Sequence, residues 1–411
     1  MATHPAAEPP GVPALRREMG LRDVTLFAVA CMVGTRWIPA AAHVGPGAIT
    51  LWLLAAVFFV VPLAIAVAAL IVKYPGAGGL YLWTRGDFGP WHGFLCFWVY
   101  WMGLAAWFPT ATMFYMSVGF FTLGPRYAPL ADNRMALMSA ALAAIWVALG
   151  SATPMHVLPK WNWGTVSFWS TIAYGMSGLE LAGLMGGEIH DPERTLPRAG
   201  WIASAFTTVF YTGVTASMLI LLEPAHISER TGYAQAGAVA GHVLGLAWLT
   251  PLIALLVVSS GIGQVGGIGA AISRLPFAAG VDRLLPEAFS RIHPRWGTPH
   301  LSILALGVVA SFLLIVFQIG DSMQAAYQEL VSLMVITGFL PYLYIFGSSW
   351  KAGNRISAMG GWGVTVMAIL CAVIPSDEIT NVPLYECKLA AGTLAVIGSA
   401  WLVYRRATAP C

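Results

Sequence analysis

Two stretches of this sequence place glycine inside otherwise apolar runs: Val33-Gly34-Thr35-Arg36-Trp37 and Tyr174-Gly175-Met176-Ser177-Gly178. A break in a helix there frees backbone N–H and C=O groups, which lipid cannot satisfy but a small polar ligand can. The N-terminus of a half-helix carries about half a positive charge and suits a carboxylate. Carbonyls of the other break suit an ammonium. The chemistry implied is recognition of a small zwitterion, not bond making. Close helix packing through small residues is the alternative use of the same glycines.

Two ionisable residues lie beside these breaks, Arg36 and Glu180. Each costs at least about 2.5 kcal/mol near mid-membrane unless paired or hydrated. Arg36 is expected either to bind a substrate's acidic group bidentately or to pair with Glu180 as an occluding gate. A structural ion pair without a transport duty is the alternative. Glu180, as a buried carboxylate, suits a group that must gain and lose a proton. Trp37 and Tyr174 flank the breaks and could stack on substrate, close the pocket or simply pack.

Other patterns carry less. Gly261-Ile262-Gly263-Gln264-Val265-Gly266 spells a dinucleotide fingerprint, but no strand precedes it and its surroundings are apolar, so helix packing explains it. His43, His92, His156, His190, His242 and His293 show no zinc-helix spacing, and the five cysteines are far apart. No metal, cofactor or nucleophile–base pair is therefore expected, and a membrane enzyme is the weakest of three functional readings.

The elements that must hold these residues follow from composition. Hydrophobic residues make up 58% and charged residues 9%, with a mean hydropathy of +0.74. Such a chain cannot cover a soluble surface and is solvated by lipid. A net charge of +3 without a dense basic block excludes a nucleic-acid partner. Apolar windows fall near Val24–Ala42, Gly47–Val72, Gly93–Leu123, Met135–Ala152, Val166–Gly187, Gly200–Leu222, Val243–Ile272, Leu301–Ile319, Ala325–Gly347, Ala358–Ile374 and Leu389–Tyr404. They give about 11 spans, too long and too uniformly apolar for barrel strands. The chain is thus expected to be an all-α polytopic membrane protein: a disordered cytoplasmic tail (1–19), one transmembrane domain (20–406) and a short C-terminal tail (407–411).

Basic residues orient the spans. Arg16, Arg17 and Arg22 place the N-terminus in the cytoplasm, and Arg194, Arg198, Arg274, Arg283, Lys351, Arg355, Arg405 and Arg406 belong there too. With a single window between Leu123 and Val166, however, the loop carrying Arg194 and Arg198 would fall outside. One helix of the first half is therefore expected to be missing, or one segment to re-enter.

Four segments in order carry a resemblance: Met19-Gly20-Leu21-Arg22-Asp23 leading to the first break and Gly45-Pro46-Gly47; Tyr74-Pro75-Gly76-Ala77-Gly78-Gly79 with Phe88-Gly89-Pro90; Tyr174 to Glu180 leading to Asp191-Pro192-Glu193-Arg194; and Ser273-Arg274 with His293-Pro294-Arg295-Trp296-Gly297-Thr298-Pro299. Together they resemble the amino acid–polyamine–organocation superfamily of permeases, from Gly20 to about Pro299. The resemblance implies an inverted-repeat, broken-helix fold of the leucine-transporter type in the plasma (inner) membrane. It also implies secondary active transport of amino acids or small amines by alternating access, proton-coupled or by exchange. In that family an acid matching Glu180 lies on the cytoplasmic side of the pocket and is linked to gating or proton coupling.

Three departures qualify what is implied. Arg36 stands where the family usually has a second glycine, the first repeat lacks a span, and the lysine that many proton-coupled relatives carry on their fifth helix has no counterpart. Ser259 and Ser260 sit where related folds place hydroxyls on a coupling sodium, a candidate ion site, although the proton is slightly favoured. Arg36 and the short repeat also admit a transport-inactive receptor or partner-binding protein of the same fold.

Overall fold

The computed structural model describes residues 19–74, 78–119, 121, 163–228, 232–294, 298–316, 323–374 and 382–408. Among them six helices are long and apolar enough to cross a membrane, and one bent pair adds a seventh crossing. The bent pair is α1 (Leu21–Met32) and α2 (Trp37–Val44), which meet at 48°. Then come α3 (Gly47–Lys73), which includes a π-helical turn at Ala56–Val60, the short α4 (Leu80–Phe88) and the long α5 (Pro90–Gly119).

The second broken helix is α6 (Trp163–Gly175) followed by α7 (Leu179–Leu184). After it come α8 (Pro192–Leu221), α9 (Gly232–Leu244), α10 (Leu249–Val281), α11 (His300–Val316), α12 (Met323–Lys351), α13 (Arg355–Val373) and α14 (Val382–Thr408). The expected all-helical, polytopic broken-helix architecture is present. The window Val243–Ile272 needs correction: Val243 and Leu244 end the separate helix α9, which Gly245 terminates at φ +68° before α10 begins. A positive φ suits glycine and stops an α-helix. Neither α9 nor α4 stood out as an apolar window, because both are shorter than a span.

Packing puts the broken helices at the centre. α1 lies on α7, α8 and α10, while α6 lies on α2, α3, α12 and α13. Gly178, at φ +114°, packs directly on the first broken helix: a Cβ there would meet the Cys31 carbonyl oxygen at 2.8 Å. The outer helices turn Val209, Val308, Leu370 and Leu394 outward, each more than 60% exposed. Large apolar side chains exposed on several helices at once are what a lipid solvent requires.

Charge gathers on one face. Arg274 pairs with Glu188 at 2.8 Å, Lys73 with Asp87 at 2.7 Å and Arg85 with Asp282 at 2.5 Å. On the same face the backbone of Met19 exchanges hydrogen bonds with Glu188 (3.0 Å) and His190 (2.9 Å). The start of α1 and the chain after α7 are thereby joined, so Arg194 and Arg198 share the face of the N-terminal segment. The topological conflict expected for that loop does not arise. The missing-helix expectation concerns Met135–Ala152, which lies outside the described residues.

Candidate functional site

Both breaks occur where glycine meets a crowded backbone. Residues 33–36 are unwound between α1 and α2, and residues 176–178 between α6 and α7. They face each other across a cavity of about 30 Å³ lined by Met32, Gly34, Trp37, Tyr174, Gly175, Ser177, Gly178, Glu180, Tyr100, Trp107 and Gln264, among others. That volume holds on the order of two water molecules. The Trp37 indole fills much of the gap: a Cβ at Gly34 would meet it at 2.6 Å and one at Gly175 at 3.0 Å. Tyr174 meets Trp37 edge-on, with centroids 6.1 Å apart.

Side chains take up the freed main chain. Gln264 of α10 donates to the Val33 carbonyl at 2.7 Å, and its own carbonyl accepts from Tyr115 at 2.8 Å. The Tyr233 hydroxyl of α9 donates to the Thr35 carbonyl at 2.5 Å. Tyr211 of α8 reaches both breaks: its oxygen accepts from Gly34 N–H at 2.7 Å and lies 2.9 Å from the Met32, 3.3 Å from the Gly34 and 3.0 Å from the Gly175 carbonyl. This corrects the expectation that only a ligand would satisfy these groups.

The two charged residues are both buried. The Arg36 guanidinium donates to Thr110, contacts the Met334 sulfur at 3.4 Å and lies 4.0 Å from the Trp37 ring centroid. An Arg over an indole face is stabilised by the ring quadrupole. The Glu180 carboxylate accepts from the Tyr100 hydroxyl and from Gly178 N–H at 3.2 Å. The N-terminus of α7, expected to await a substrate carboxylate, is thus capped by the chain's own Glu180. The Tyr342 hydroxyl faces this carboxylate without reaching hydrogen-bond geometry.

Comparison with known proteins places this architecture. Residues 19–167 and 135–376 match the family model described as amino acid permease. The chain belongs to the amino acid permease family. An uncharacterized transporter of Legionella pneumophila is 24% identical, with 95% of this permease and 97% of the relative covered. That alignment runs over 455 residues against 411 in this chain, so the relative holds segments that this permease lacks. A probable agmatine/putrescine antiporter of Lactococcus lactis is 21% identical, covering 90% of each chain, and the serine/threonine exchanger of Bacillus subtilis is 24% identical, covering 70% of this permease and 74% of the exchanger. Among solved structures, a manganese transporter mutant of Eremococcus coleocola shares the fold at a TM-score of 0.56 and 14% identity, covering 94% of each chain.

Membership makes the permease an integral membrane carrier, not an enzyme, and favours transport over the receptor alternative. Of the residues singled out from sequence, Gly34, Trp37, Tyr174, Gly175, Ser177, Gly178 and Glu180 line the one cavity. Thr35 and Met176 are buried beside it, Val33 contributes its carbonyl to Gln264, and Arg36 is held behind Trp37. Ser259 and Ser260 are not brought there. Both are exposed on α10; Ser260 donates to the Val257 carbonyl one turn back at 3.0 Å and lines a separate cavity with Val33, Thr35 and Gln264. Tyr100, Tyr115, Tyr211, Tyr233 and Gln264 were not anticipated. Gln264 alone gave a signal, as the only amide within the window Val243–Ile272.

Proposed function

We propose that this permease moves amino acids across the plasma membrane by alternating access, with the substrate held between the unwound residues 33–36 and 176–178 and with Glu180 as the gating acid. The observation that carries the reading is the pairing of the breaks: two discontinuous helices present their main chain to one buried cavity, with Glu180 at its edge. Paired breaks of this kind are how inverted-repeat carriers build a midplane site.

The ion pairs Arg85–Asp282 and Arg274–Glu188 draw α4 and α10 together with the chain after α7. On the other face, His43 Nδ1 lies 2.7 Å from the Ile227 carbonyl, and Tyr233 ties α9 to the first break. The basic face fits the cytoplasm by the distribution of arginine and lysine. Transport then alternates between loosening one set of ties and the other. A buried carboxylate bonded to a tyrosine hydroxyl is suited to carry a proton through that cycle. The names of the two relatives, antiporter and exchanger, favour exchange.

Arg36, held between Thr110 and Trp37, supports a site for a substrate that bears an acidic group. The test is flux: purified protein in liposomes preloaded with one unlabelled amino acid is supplied with labelled members of the common set. Accumulation of a subset, dependent on internal amino acid, is expected. Binding without movement would favour the receptor reading.

A further inference from the structure

α12 and α13 enclose a groove that lies apart from the substrate cavity. α12 ends at Lys351 and α13 begins at Arg355, and below this turn the pair borders a cavity of about 650 Å³ that opens outward. Its lining is Leu343, Trp362, Gly363, Val366, Met367 and Leu370. The Trp362 indole N–H donates to the Leu343 carbonyl at 2.8 Å, so the only side-chain N–H of this lining is already satisfied. Val366 and Leu370 are 47% and 64% exposed and continue the lipid-facing surface of α13. An apolar hollow inside a bilayer does not stay empty, because its walls would lack dispersion partners, and it does not hold water, because nothing there bonds to it. Hydrocarbon fills it.

The rim has the opposite character. Arg355 is exposed and lies 5.8 Å from the centroid of Trp350, which stacks on Trp362 at 6.2 Å. Lys351 is exposed at the same rim, its ammonium tied to the Asp87 carbonyl at 2.5 Å. From Leu343 to Leu370 the sequence holds no aspartate or glutamate, and the nearby Asp87 carboxylate is paired with Lys73. The positive charge of the rim is therefore available to an anion.

Spacing sets the shape of that anion. Leu370 lies eight residues beyond Trp362, about 12 Å along the helix, close to the roughly 15 Å depth of one leaflet. A cation, an interfacial tryptophan pair and one leaflet's depth of apolar groove, in that order, match an amphiphile with an anionic head and a hydrocarbon tail. A second copy of the chain fits less well: a symmetric pair in one membrane would bring both Arg355 side chains to the same level of a shared rim.

We propose that this groove seats one anionic phospholipid, with an acyl chain along α13 between Leu343 and Leu370 and the phosphate at Arg355. α12 also carries Met334, which meets Arg36, and Gly338, which packs against the Tyr174 ring. The seated lipid thus braces the helix that backs the substrate site.

The test uses two lipids with the same tails. Purified full-length protein in detergent is titrated with dioleoyl phosphatidylglycerol or dioleoyl phosphatidylcholine, and retained lipid is read by native mass spectrometry alongside the melting temperature. The wild type is expected to retain one phosphatidylglycerol and melt higher with it, and to hold phosphatidylcholine several-fold more weakly. Arg355→Gln is expected to weaken phosphatidylglycerol about fivefold, the worth of one basic side chain beside an anionic lipid, and to leave phosphatidylcholine unchanged. Gly363→Leu fills the groove without a clash, since nothing stands within 4 Å of a Cβ there, and is expected to retain neither lipid. Gly398→Leu on α14, where a Cβ is equally free, is expected to behave as the wild type.

Equal retention of the two lipids by the wild type overturns the proposal even if a variant fails to fold. So does phosphatidylglycerol binding that is unchanged in a folded Gly363→Leu or in Arg355→Gln. A dimer that Gly363→Leu splits, with no lipid retained by the wild type, gives the groove to a second copy and overturns it as well.

Discussion

Trp37 packs its indole against Gly175, so close that a Cβ on the glycine would stand 3.0 Å from the ring and 3.2 Å from Trp52 on the other side. The two broken helices are thereby keyed together by an aromatic side chain from the first and a missing side chain in the second. Gly175→Ala forces one ring to move, and overpacking of this kind costs about 1–3 kcal/mol. A lower melting temperature and slowed flux are expected, with both partly restored by Trp37→Leu in the same chain. If Gly175→Ala melts and transports as the parent does, the indole is not wedged between the breaks.

The Arg274–Glu188 pair lies largely out of water, with side-chain exposures of 6% and 17%. It is bidentate: Nε reaches one carboxylate oxygen at 2.8 Å and Nη2 the other at 3.1 Å. Removing one member of a buried pair is costly, about 3–5 kcal/mol, because it strands the other charge. Arg274→Met is therefore expected to destabilise strongly, and Arg274→Met combined with Glu188→Leu to recover most of the loss. Melting curves of the two single variants and the double variant check this. Additive effects would show that the two residues do not depend on each other.

What the sequence disclosed and what it hid divide along a physical line. Gly34, Gly175, Gly178, Arg36 and Glu180 were legible because glycine and charge are conspicuous in an apolar run, and lipid gives each a definite cost. The spans were legible for the same reason, through their length. Tyr211, Tyr233 and Tyr115 were not: a tyrosine in an apolar helix is equally at home in packing or at an interface, and only three-dimensional placement shows its hydroxyl on a carbonyl. The placement of Arg194 beside the N-terminal segment agrees with the charge reading and not with the window count, and the pairing of Met19 with Glu188 and His190 behind it is a contact between segments about 170 residues apart. No local pattern encodes it.

Gln264 bridges Val33 and Tyr115, donating to one and accepting from the other. Gln264→Leu keeps the bulk but removes the side-chain donor to the buried Val33 carbonyl, a loss worth about 1–3 kcal/mol, and one of the partners of the Tyr115 hydroxyl, which also meets Thr35 at 3.2 Å. Gln264→Glu substitutes an acceptor for the donor that Val33 uses. Both variants are expected to melt lower than the parent, and Gln264→Asn to lie between them and the parent if its shorter arm reaches one partner. A fully stable Gln264→Leu would mean that the first break does not need this support.

Glu180 gives the sharpest separation of mechanism from structure. Its carboxylate accepts from Tyr100 and from Gly178 N–H, so it both caps α7 and faces the cavity. Glu180→Gln retains an oxygen for Gly178 and the volume of the side chain, and removes only the capacity to take and release a proton. Exchange of labelled for unlabelled amino acid across liposomes, which needs no net proton movement, is expected to persist in this variant. Net uptake driven by a pH gradient is expected to fall about tenfold or more, the scale of 1.4 kcal/mol or more in the limiting barrier. Tyr100→Phe, which removes the hydroxyl and leaves the acid, should keep the gradient dependence while slowing both modes. Gradient-driven uptake that is untouched in Glu180→Gln would remove this carboxylate from the proton path and leave it only the role of a cap on α7.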